Sequence, residues 1–199
     1  MFNKPRGCIT AKRDVRHKTV MEYFPSELSS VLFPVGRLDK DTEGLLIMTS
    51  DGDLCQKLTS PLSMIPKNYF FLALGEMDEK KISEIERGAS VFSDGETLCA
   101  PSSVKIIEKT TLSEVSSFLS EEYVKLSKKK PDSLVTVGEI TVTEGKKHQV
   151  KRMVGYTGAV VIYLKRVAIG GLMLDESLPL GSYRGLSDRD IELIQTRLP

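Results

Sequence analysis

Three carboxylates stand at alternate positions in one short segment of the chain. Residues 36–52 have the sequence GRLDKDTEGLLIMTSDG, in which Asp39, Asp41 and Glu43 precede a glycine and an apolar run. Like charges packed so closely are unfavourable unless a cation or a chemical task accounts for them. Three interpretations follow: a calcium site, a structural turn whose carboxylates pair with the neighbouring basic residues, or a carboxylate that attacks a substrate covalently.

The spacing of the segment disfavours calcium. The pattern D-x-D-x-E-G opens an EF-hand loop, and Gly44 stands at the sixth position, where such a loop turns. An EF-hand then needs a glutamate at the twelfth position, which here is Ser50. Residues 45–48 also predict a strand rather than the approach to a helix. We therefore expect no metal, and the structural and catalytic interpretations both remain open.

The composition is that of a soluble globular protein. The chain has 199 residues, of which 40% are hydrophobic and 28% charged, enough to bury a core. It contains no apolar run of membrane-spanning length and starts without a signal-peptide pattern, so we expect a cytoplasmic protein. Cys8, Cys55 and Cys99 are isolated from one another, which predicts reduced structural cysteines rather than disulfides or a zinc site.

The charge balance bears on nucleic-acid binding. A net charge of +1 argues against a protein that holds nucleic acid by its overall charge. The basic residues are nevertheless concentrated locally, and a cluster on one face would neutralise phosphates. The clusters are Lys4, Arg6, Lys12 and Arg13, then Lys146, Lys147, Lys151 and Arg152, then Lys165 and Arg166.

Hydrophobic patterning predicts an α+β fold. Apolar runs bounded by Gly, Pro and Asp predict strands at residues 45–49, 69–74, 104–107, 140–143 and 160–169. Helical spacing predicts helices at 53–59, 78–87, 147–156 and 188–197, the last with a capping box of Ser187 and Asp190. We also expect a surface helix across residues 111–128 before a basic turn. Strands and long helices do not alternate regularly, so a mixed, mostly antiparallel sheet flanked by helices is expected.

Four further segments, taken with G-R-L-D at residues 36–39, resemble the motifs of one family. They are Asn3-Lys4-Pro5-Arg6-Gly7, Lys67-Asn68-Tyr69, residues 144–153 (EGKKHQVKRM), and a closing region that spans residues 164–171 and 181–186. Their order and sequence resemble the pseudouridine synthases, in the branch of ribosomal small-subunit pseudouridine synthase A and its large-subunit relatives. The resemblance extends from residue 3 to about residue 190 and implies that family's catalytic fold with a central active-site cleft.

The resemblance implies an isomerase that converts uridine in RNA to pseudouridine without a cofactor. It makes Asp39 the nucleophile, which attacks either C6 of the base or C1′ of the sugar. Tyr69 would stack on the flipped base, and Lys151 would keep the Asp39 carboxylate ionised. Arg152 competes with Lys151 for that role, but neighbouring helical residues point about 100 degrees apart, so one of the two should face Asp39. Asp41 and Glu43 then become loop structure.

The resemblance also implies RNA contacts and a partner. Arg37 would fill the gap that the flipped base leaves, while Lys146, Lys147 and His148 would hold the RNA backbone at a helix start. The remaining expected RNA contacts are Lys4, Arg6, Lys67, Gln149, Arg152, Lys165 and Arg166. The expected partner is ribosomal RNA, 16S rather than 23S, free or in an assembly intermediate, bound by a monomer.

Many members of this family carry an S4-type RNA-binding domain before the N-K-P-x-G strand, whereas Met1 and Phe2 lead directly into that strand here. We therefore expect residues 1–199 to form the catalytic domain alone, built of two intimately packed halves and lacking an S4 domain, which is either absent from the protein or outside this sequence. The rival hypothesis is an RNA-binding or ribosome-assembly protein that kept the fold and lost catalysis. The joint presence of Asp39, Tyr69 and Lys151 argues against it.

Overall fold

A computed structural model describes residues 1–92 and 95–195. In these residues the strands are β1 (Phe2–Lys4), β2 (Phe33–Val35), β3 (Glu43–Thr49), β4 (Lys67–Leu74), β5 (Ser103–Thr111), β6 (Leu134–Val142), β7 (Val160–Ile169) and β8 (Leu172–Met173). The α-helices are α1 (Ser26–Val31), α2 (Gly52–Thr59), α3 (Glu79–Arg87), α4 (Glu121–Lys129), α5 (Gln149–Tyr156) and α6 (Asp188–Gln195). The chain divides into two compact units, the first formed by Met1–Lys67 together with the residues from Lys165 onward, and the second by Asn68–Leu164.

The first unit is organised around β3. Strand β3 pairs antiparallel with β1 and with β2, and parallel with β7 at Glu43↔Lys165 and Gly44↔Arg166. Strand β8 pairs antiparallel with β7. The core of the first unit contains Leu45 and Ile47, which are both fully buried and pack with α2, α6 and the β7–β8 turn. The strand that follows residues 36–42, β3, is therefore anchored in the hydrophobic core.

The second unit contains β4, β5 and β6 in the order β4-β6-β5, with β5 and β6 antiparallel. The ladder between β5 and β6 is irregular between Ile106 and Glu108. Its core includes Leu72, Val135 and Leu112, all almost fully buried. Helix α3 begins where the Asp78 carboxylate accepts hydrogen bonds from the Lys80 and Lys81 amides.

Most of the predicted elements are present. The predicted strand at residues 160–169 has the observed bounds, and the other four strands are found with longer ranges. The capping box of α6 is confirmed, because the Ser187 amide donates to the Asp190 carboxylate and the Asp190 amide donates to the Ser187 hydroxyl. Residues 196 and 197 of that predicted helix lie outside the described residues. Short elements, namely α1, β2 and β8, were not predicted from the patterning.

The single helix predicted across residues 111–128 is wrong. Leu112, Val115 and Leu119 are buried as the spacing suggested, but they lie in and beside the turn and the short 3-10 helix (Ser116–Phe118) that follow β5. The Leu112 and Ser113 amides donate to the backbone oxygens of Ser133 (2.9 Å) and Pro131 (3.1 Å), so the backbone here still bonds to the segment before β6. The α-helical part of the segment is confined to α4.

The α+β class and the mixed sheet are confirmed. Between the named strands whose register is described, β3 with β7 is parallel and the other pairs are antiparallel. Across residues 1–92 and 95–195, every helix is too short or too polar to span a bilayer.

Candidate active site

The loop with the three carboxylates connects β2 to β3 in the first unit. It turns at Gly36, where φ is +71°, and enters β3 at Gly44, where φ is +101°. A Cβ atom on Gly44 would stand 2.2 Å from the backbone oxygen of Arg166, so this position requires glycine. Asp39 is half-buried within the loop, and the Thr42 amide donates to its backbone oxygen at 3.1 Å. The loop thus has a defined turn at the predicted nucleophile.

Lys4 holds the backbone of this loop through hydrogen bonds. Its side chain is fully buried, and its Nζ donates hydrogen bonds to the backbone oxygens of Pro5 (3.0 Å), Asp39 (3.0 Å) and Thr42 (2.9 Å). Burial lowers the pKa of the Lys4 ammonium, against the opposing effect of nearby acidic groups. All three ammonium hydrogens are used inside the protein, so Lys4 positions the loop and the predicted contact with RNA is not available to it.

A second set of bonds fixes the residues on either side of Asp39. Thr10 Oγ1 donates to the Leu38 backbone oxygen at 2.8 Å and accepts from the Leu38 amide at 3.1 Å. The Gly7 amide donates to the Lys40 backbone oxygen at 2.7 Å. Because Leu38 and Lys40 flank Asp39, the segment after β1 clamps the loop at both neighbours of that residue.

The three carboxylates differ in their surroundings. Glu43 is buried at the start of β3 and forms an ion pair with Arg6, with Nε and Oε1 2.8 Å apart. Asp41 is exposed, whereas Asp39 is half-buried. Arg6, a predicted RNA contact, is therefore the structural partner of Glu43. Within the described residues no group of three or more His, Cys, Asp or Glu side chains has the arrangement of a metal site.

Three further basic residues of the motifs, Lys67, Lys165 and Arg166, lie in the same unit. Arg166 is buried, and its Nε donates to the Leu45 backbone oxygen at 2.8 Å, so it supports β3 rather than facing RNA. Lys67 donates to the Ile65 backbone oxygen at 2.8 Å. Burial and then the charge of Arg166 lower the pKa of Lys67 to about 8. Lys165 is half-buried.

The second unit carries the other two predicted catalytic residues. Tyr69 is buried in β4, and Lys151 is half-buried in the first turn of α5. The neighbouring Arg152 has its guanidinium carbon 4.7 Å from the centre of the Phe92 ring. This cation–π contact gives Arg152 a separate partner.

The segment before α5 forms a hydrogen-bonded network. Glu144 accepts from the Ala100 amide (2.9 Å), from Gln149 Nε2 (2.7 Å) and from the Lys146 ammonium, which also donates to the Leu98 backbone oxygen at 2.9 Å. Partial burial opposes ionisation of Glu144, but these hydrogen bonds lower its pKa. Gln149 is buried, so this residue and Lys146 tie residues 98–100 to the motif, and the predicted RNA contact of Gln149 is not available.

Two residues of that motif are exposed to solvent. Lys147 and His148 are exposed, and His148 adopts a left-handed conformation with φ of +54° immediately before α5. Arg37, in the first unit, is exposed as well. These three side chains are the predicted RNA-binding residues that are open to solvent.

The comparison with protein families decides the identity of the fold. The family described as RNA pseudouridylate synthase matches residues 1–155. The chain belongs to that family. The match includes the Asp39 loop, Tyr69 and Lys151, and it confirms the resemblance inferred from the motifs.

Individual relatives of this RNA pseudouridine synthase agree. An uncharacterized RNA pseudouridine synthase, YtzG, of Bacillus subtilis (strain 168) is 37% identical over 195 residues, covering 98% of this chain and 72% of the relative. The ribosomal small subunit pseudouridine synthase A of Pseudomonas aeruginosa is 32% identical over 195 residues, covering 96% and 71%. The crystal structure of a pseudouridylate synthase matches with a TM-score of 0.78 at 30% identity, covering 97% of this chain and 71% of that one.

Sequence reasoning missed three residues that support the motifs of this RNA pseudouridine synthase: Thr10 beside the Asp39 loop, and Phe92 and Glu144 in the second unit. Thr10 was not singled out, because a lone threonine 29 positions before Asp39 carries no sequence signal. Phe92 and Glu144 were also missed as partners of Arg152 and Lys146. No sequence signal marked Lys4 as a buried support of the loop, because lysines are ordinarily exposed.

Proposed function

We propose that Asp39 is the nucleophile of this RNA pseudouridine synthase and that the substrate is a uridine of ribosomal RNA, in the 16S RNA of the small subunit. The reaction breaks the bond between N1 and C1′ of uridine and joins C5 to C1′. A proton leaves C5 and another is gained at N1, with no change in oxidation state. Covalent attack by a carboxylate, at C6 or at C1′, provides a route that needs no cofactor.

The observation that supports the nucleophile is the way its loop is held. Lys4 binds the Asp39 backbone oxygen, and Thr10 binds both backbone groups of Leu38. These contacts engage the backbone, not the Asp39 carboxylate. A loop fixed by its backbone presents a reactive side chain in a defined position, which lowers the entropic part of the barrier.

Two residues of the second unit are assigned the supporting roles by their motif positions. Tyr69 is the ring that stacks on the extruded base, since the target must leave the RNA stack before chemistry occurs. Lys151 is the cation that keeps Asp39 ionised. The contact of Arg152 with Phe92 favours Lys151 over Arg152 for that role.

RNA binding is assigned to exposed basic residues. Arg37 occupies the gap left by the extruded base, and Lys147 and His148 contact phosphates at the start of α5. Lys165, half-buried, is a lesser contributor. The proposal of ribosomal RNA is supported by the relatives named ribosomal small subunit pseudouridine synthase A. We also propose that the enzyme acts as a monomer.

The gene's deletion tests this function. Ribosomal RNA from cells with and without the gene is labelled with carbodiimide, which marks pseudouridine, and is then analysed by mass spectrometry. We expect one pseudouridine of 16S RNA to disappear and to return with the wild-type gene but not with Asp39→Asn. A site lost from 23S RNA instead would overturn the 16S assignment, and unchanged modification at every site would leave an RNA-binding protein without catalysis.

A further inference from the structure

Residues 12–18, here called the basic loop, follow the strand and turn that hold the Asp39 loop. Their sequence is KRDVRHK, with four lysines and arginines against one carboxylate, in a chain whose net charge is only +1. Every one of the seven residues is exposed. The roles assigned above leave this concentration of positive charge without a task.

The basic loop is structured at its tip. The Asp14 carboxylate accepts hydrogen bonds from the Arg16 amide at 2.8 Å and the His17 amide at 2.7 Å, and these bonds lower its pKa. Its Oδ1 also lies 3.2 Å from His17 Nδ1. The one acidic group of the loop therefore serves as the internal support of a turn, with Val15 fully exposed at its apex.

The two ends of the basic loop are also anchored. Lys18 Nζ lies 4.0 Å from the centre of the Tyr23 ring, and Lys12 Nζ lies 5.8 Å from that of Phe33. The Ile9 amide donates to the Lys18 backbone oxygen at 2.9 Å, which closes the base of the loop. A run of charges that only aided solubility would not require this scaffold.

The root of the basic loop lies beside the proposed nucleophile. Thr10 bonds to Leu38, the residue before Asp39, and the loop begins two residues after Thr10. Three residues span at most roughly 11 Å of extended chain, so the backbone of Arg13 is within that distance of Thr10. An RNA strand that delivers a uridine to Asp39 therefore has its neighbouring phosphates within reach of this loop.

A groove lies next to the basic loop. Its volume is about 740 Å³, and its lining includes Lys12, Arg13, Ser26 and Ser29 together with the Asp14 carboxylate, which the turn of the basic loop already uses. Cations and hydroxyl groups are the usual contacts of phosphate oxygens. The Glu22 carboxylate, which also lines the groove, accepts a 2.7 Å hydrogen bond from the Thr19 amide.

We propose that the basic loop binds the phosphodiester backbone of the substrate RNA beside the target uridine, an inference that rests on the proposed function. It positions the RNA and takes no part in bond making or breaking. Its contribution is electrostatic, so it should appear in RNA affinity and in the dependence of that affinity on salt, and not in the rate of isomerisation once RNA is bound.

The test compares two charge-matched variants. Lys12→Gln/Arg13→Gln/Arg16→Gln removes three charges from the basic loop. Lys128→Gln/Lys129→Gln/Lys130→Gln removes three exposed charges at the end of α4. Binding of transcribed 16S ribosomal RNA is measured by filter retention at several KCl concentrations. We expect the loop variant to bind at least about tenfold more weakly and with a salt slope flatter by about 2, as loss of three phosphate contacts implies.

Equal weakening in both triple variants, or an unchanged salt slope in the loop variant, would overturn the proposal. Arg13→Gln/Arg16→Gln, which spares the Lys12–Phe33 contact, provides the same comparison if the triple variant fails to fold. The binding assay needs no turnover. Loop-dependent binding without any pseudouridine formation would therefore refute the proposed function alone, whereas normal turnover with loop-independent binding would refute this inference alone.

Discussion

Lys4 Nζ donates a 3.0 Å hydrogen bond to the backbone oxygen of Asp39. A fully buried lysine is costly, because the ammonium loses its hydration, and here three backbone carbonyls replace the water. Such a group is retained where it fixes a geometry. We interpret Lys4 as the residue that sets the conformation of the loop that carries the proposed nucleophile.

Replacing Lys4 by methionine tests this interpretation. The variant keeps the length of the side chain and leaves three backbone carbonyl oxygens, one buried and two partly buried, without their donor. We expect the free energy of unfolding to fall by about 3 kcal/mol. The rate of isomerisation should fall as well, because the loop loses its support. Urea unfolding and single-turnover kinetics measure the two effects, and a variant with wild-type stability and rate would refute the interpretation.

Thr10→Val removes the hydroxyl that binds Leu38 while keeping the shape of the side chain. The two lost hydrogen bonds are each worth about 1 kcal/mol, so the single-turnover rate at saturating RNA should fall by up to about thirtyfold. RNA affinity should stay unchanged, because Thr10 is buried. Thr10→Ser retains the hydroxyl and should restore most of the rate. Equal rates for the serine and valine variants would exclude a positioning role.

Gly44→Ala tests the close approach of the loop to β7. The added methyl would stand 2.2 Å from the Arg166 oxygen in a backbone conformation with φ of +101°, so we expect a loss of at least about 3 kcal/mol in the free energy of unfolding. Gly155→Ala is the matched control. Gly155 lies in α5 with open space around its Cα, and alanine there should stabilise by about 0.5–1 kcal/mol. Similar thermal stabilities for the two variants would contradict the described loop geometry.

The lowered pKa of Lys67 predicts how the free energy of unfolding depends on pH. Burial lowers the pKa of its ammonium to about 8, below the ordinary value of 10.5. Between these values the unfolded chain binds the proton that the folded protein lacks, so this group makes folding more favourable as pH rises from about 8 to 10.5. The stability of the wild type relative to Lys67→Met should therefore increase across that range in urea unfolding. A difference that stays constant or declines with pH would show that Lys67 is not perturbed.

The sequence singled out the Asp39 loop but not its supports. Asp39 could be proposed as the nucleophile because crowded carboxylates and an ordered series of motifs mark it. The contacts of Thr10 with Leu38 and of Arg6 with Glu43 join residues 28 and 37 positions apart, and local patterns carry no information on such pairs. Periodicity also cannot tell whether a regularly spaced Leu112 packs from a helix or from a turn.

Charge was the least reliable guide to the RNA-binding surface. Lys4 and Arg166 were predicted to contact RNA, yet both are buried and bind backbone oxygens. Exposure separates these structural cations from Arg37 and Lys147, and exposure depends on the folded chain. The basic loop is the opposite case: its charge was visible in the sequence, but the task proposed for it depends on the contact of Thr10, two residues before the loop, with Leu38.

The identity of the nucleophile is tested most directly by Asp39→Asn, with Asp41→Asn as the matched control two residues away. The substrate is transcribed 16S ribosomal RNA carrying tritium at C5 of uridine, which the isomerisation releases to water. We expect Asp39→Asn to bind this RNA as the wild type does and to release no tritium, because an amide cannot act as the nucleophile. Asp41→Asn should release tritium at close to the wild-type rate. Release by Asp39→Asn at a rate comparable to that of Asp41→Asn would contradict the account.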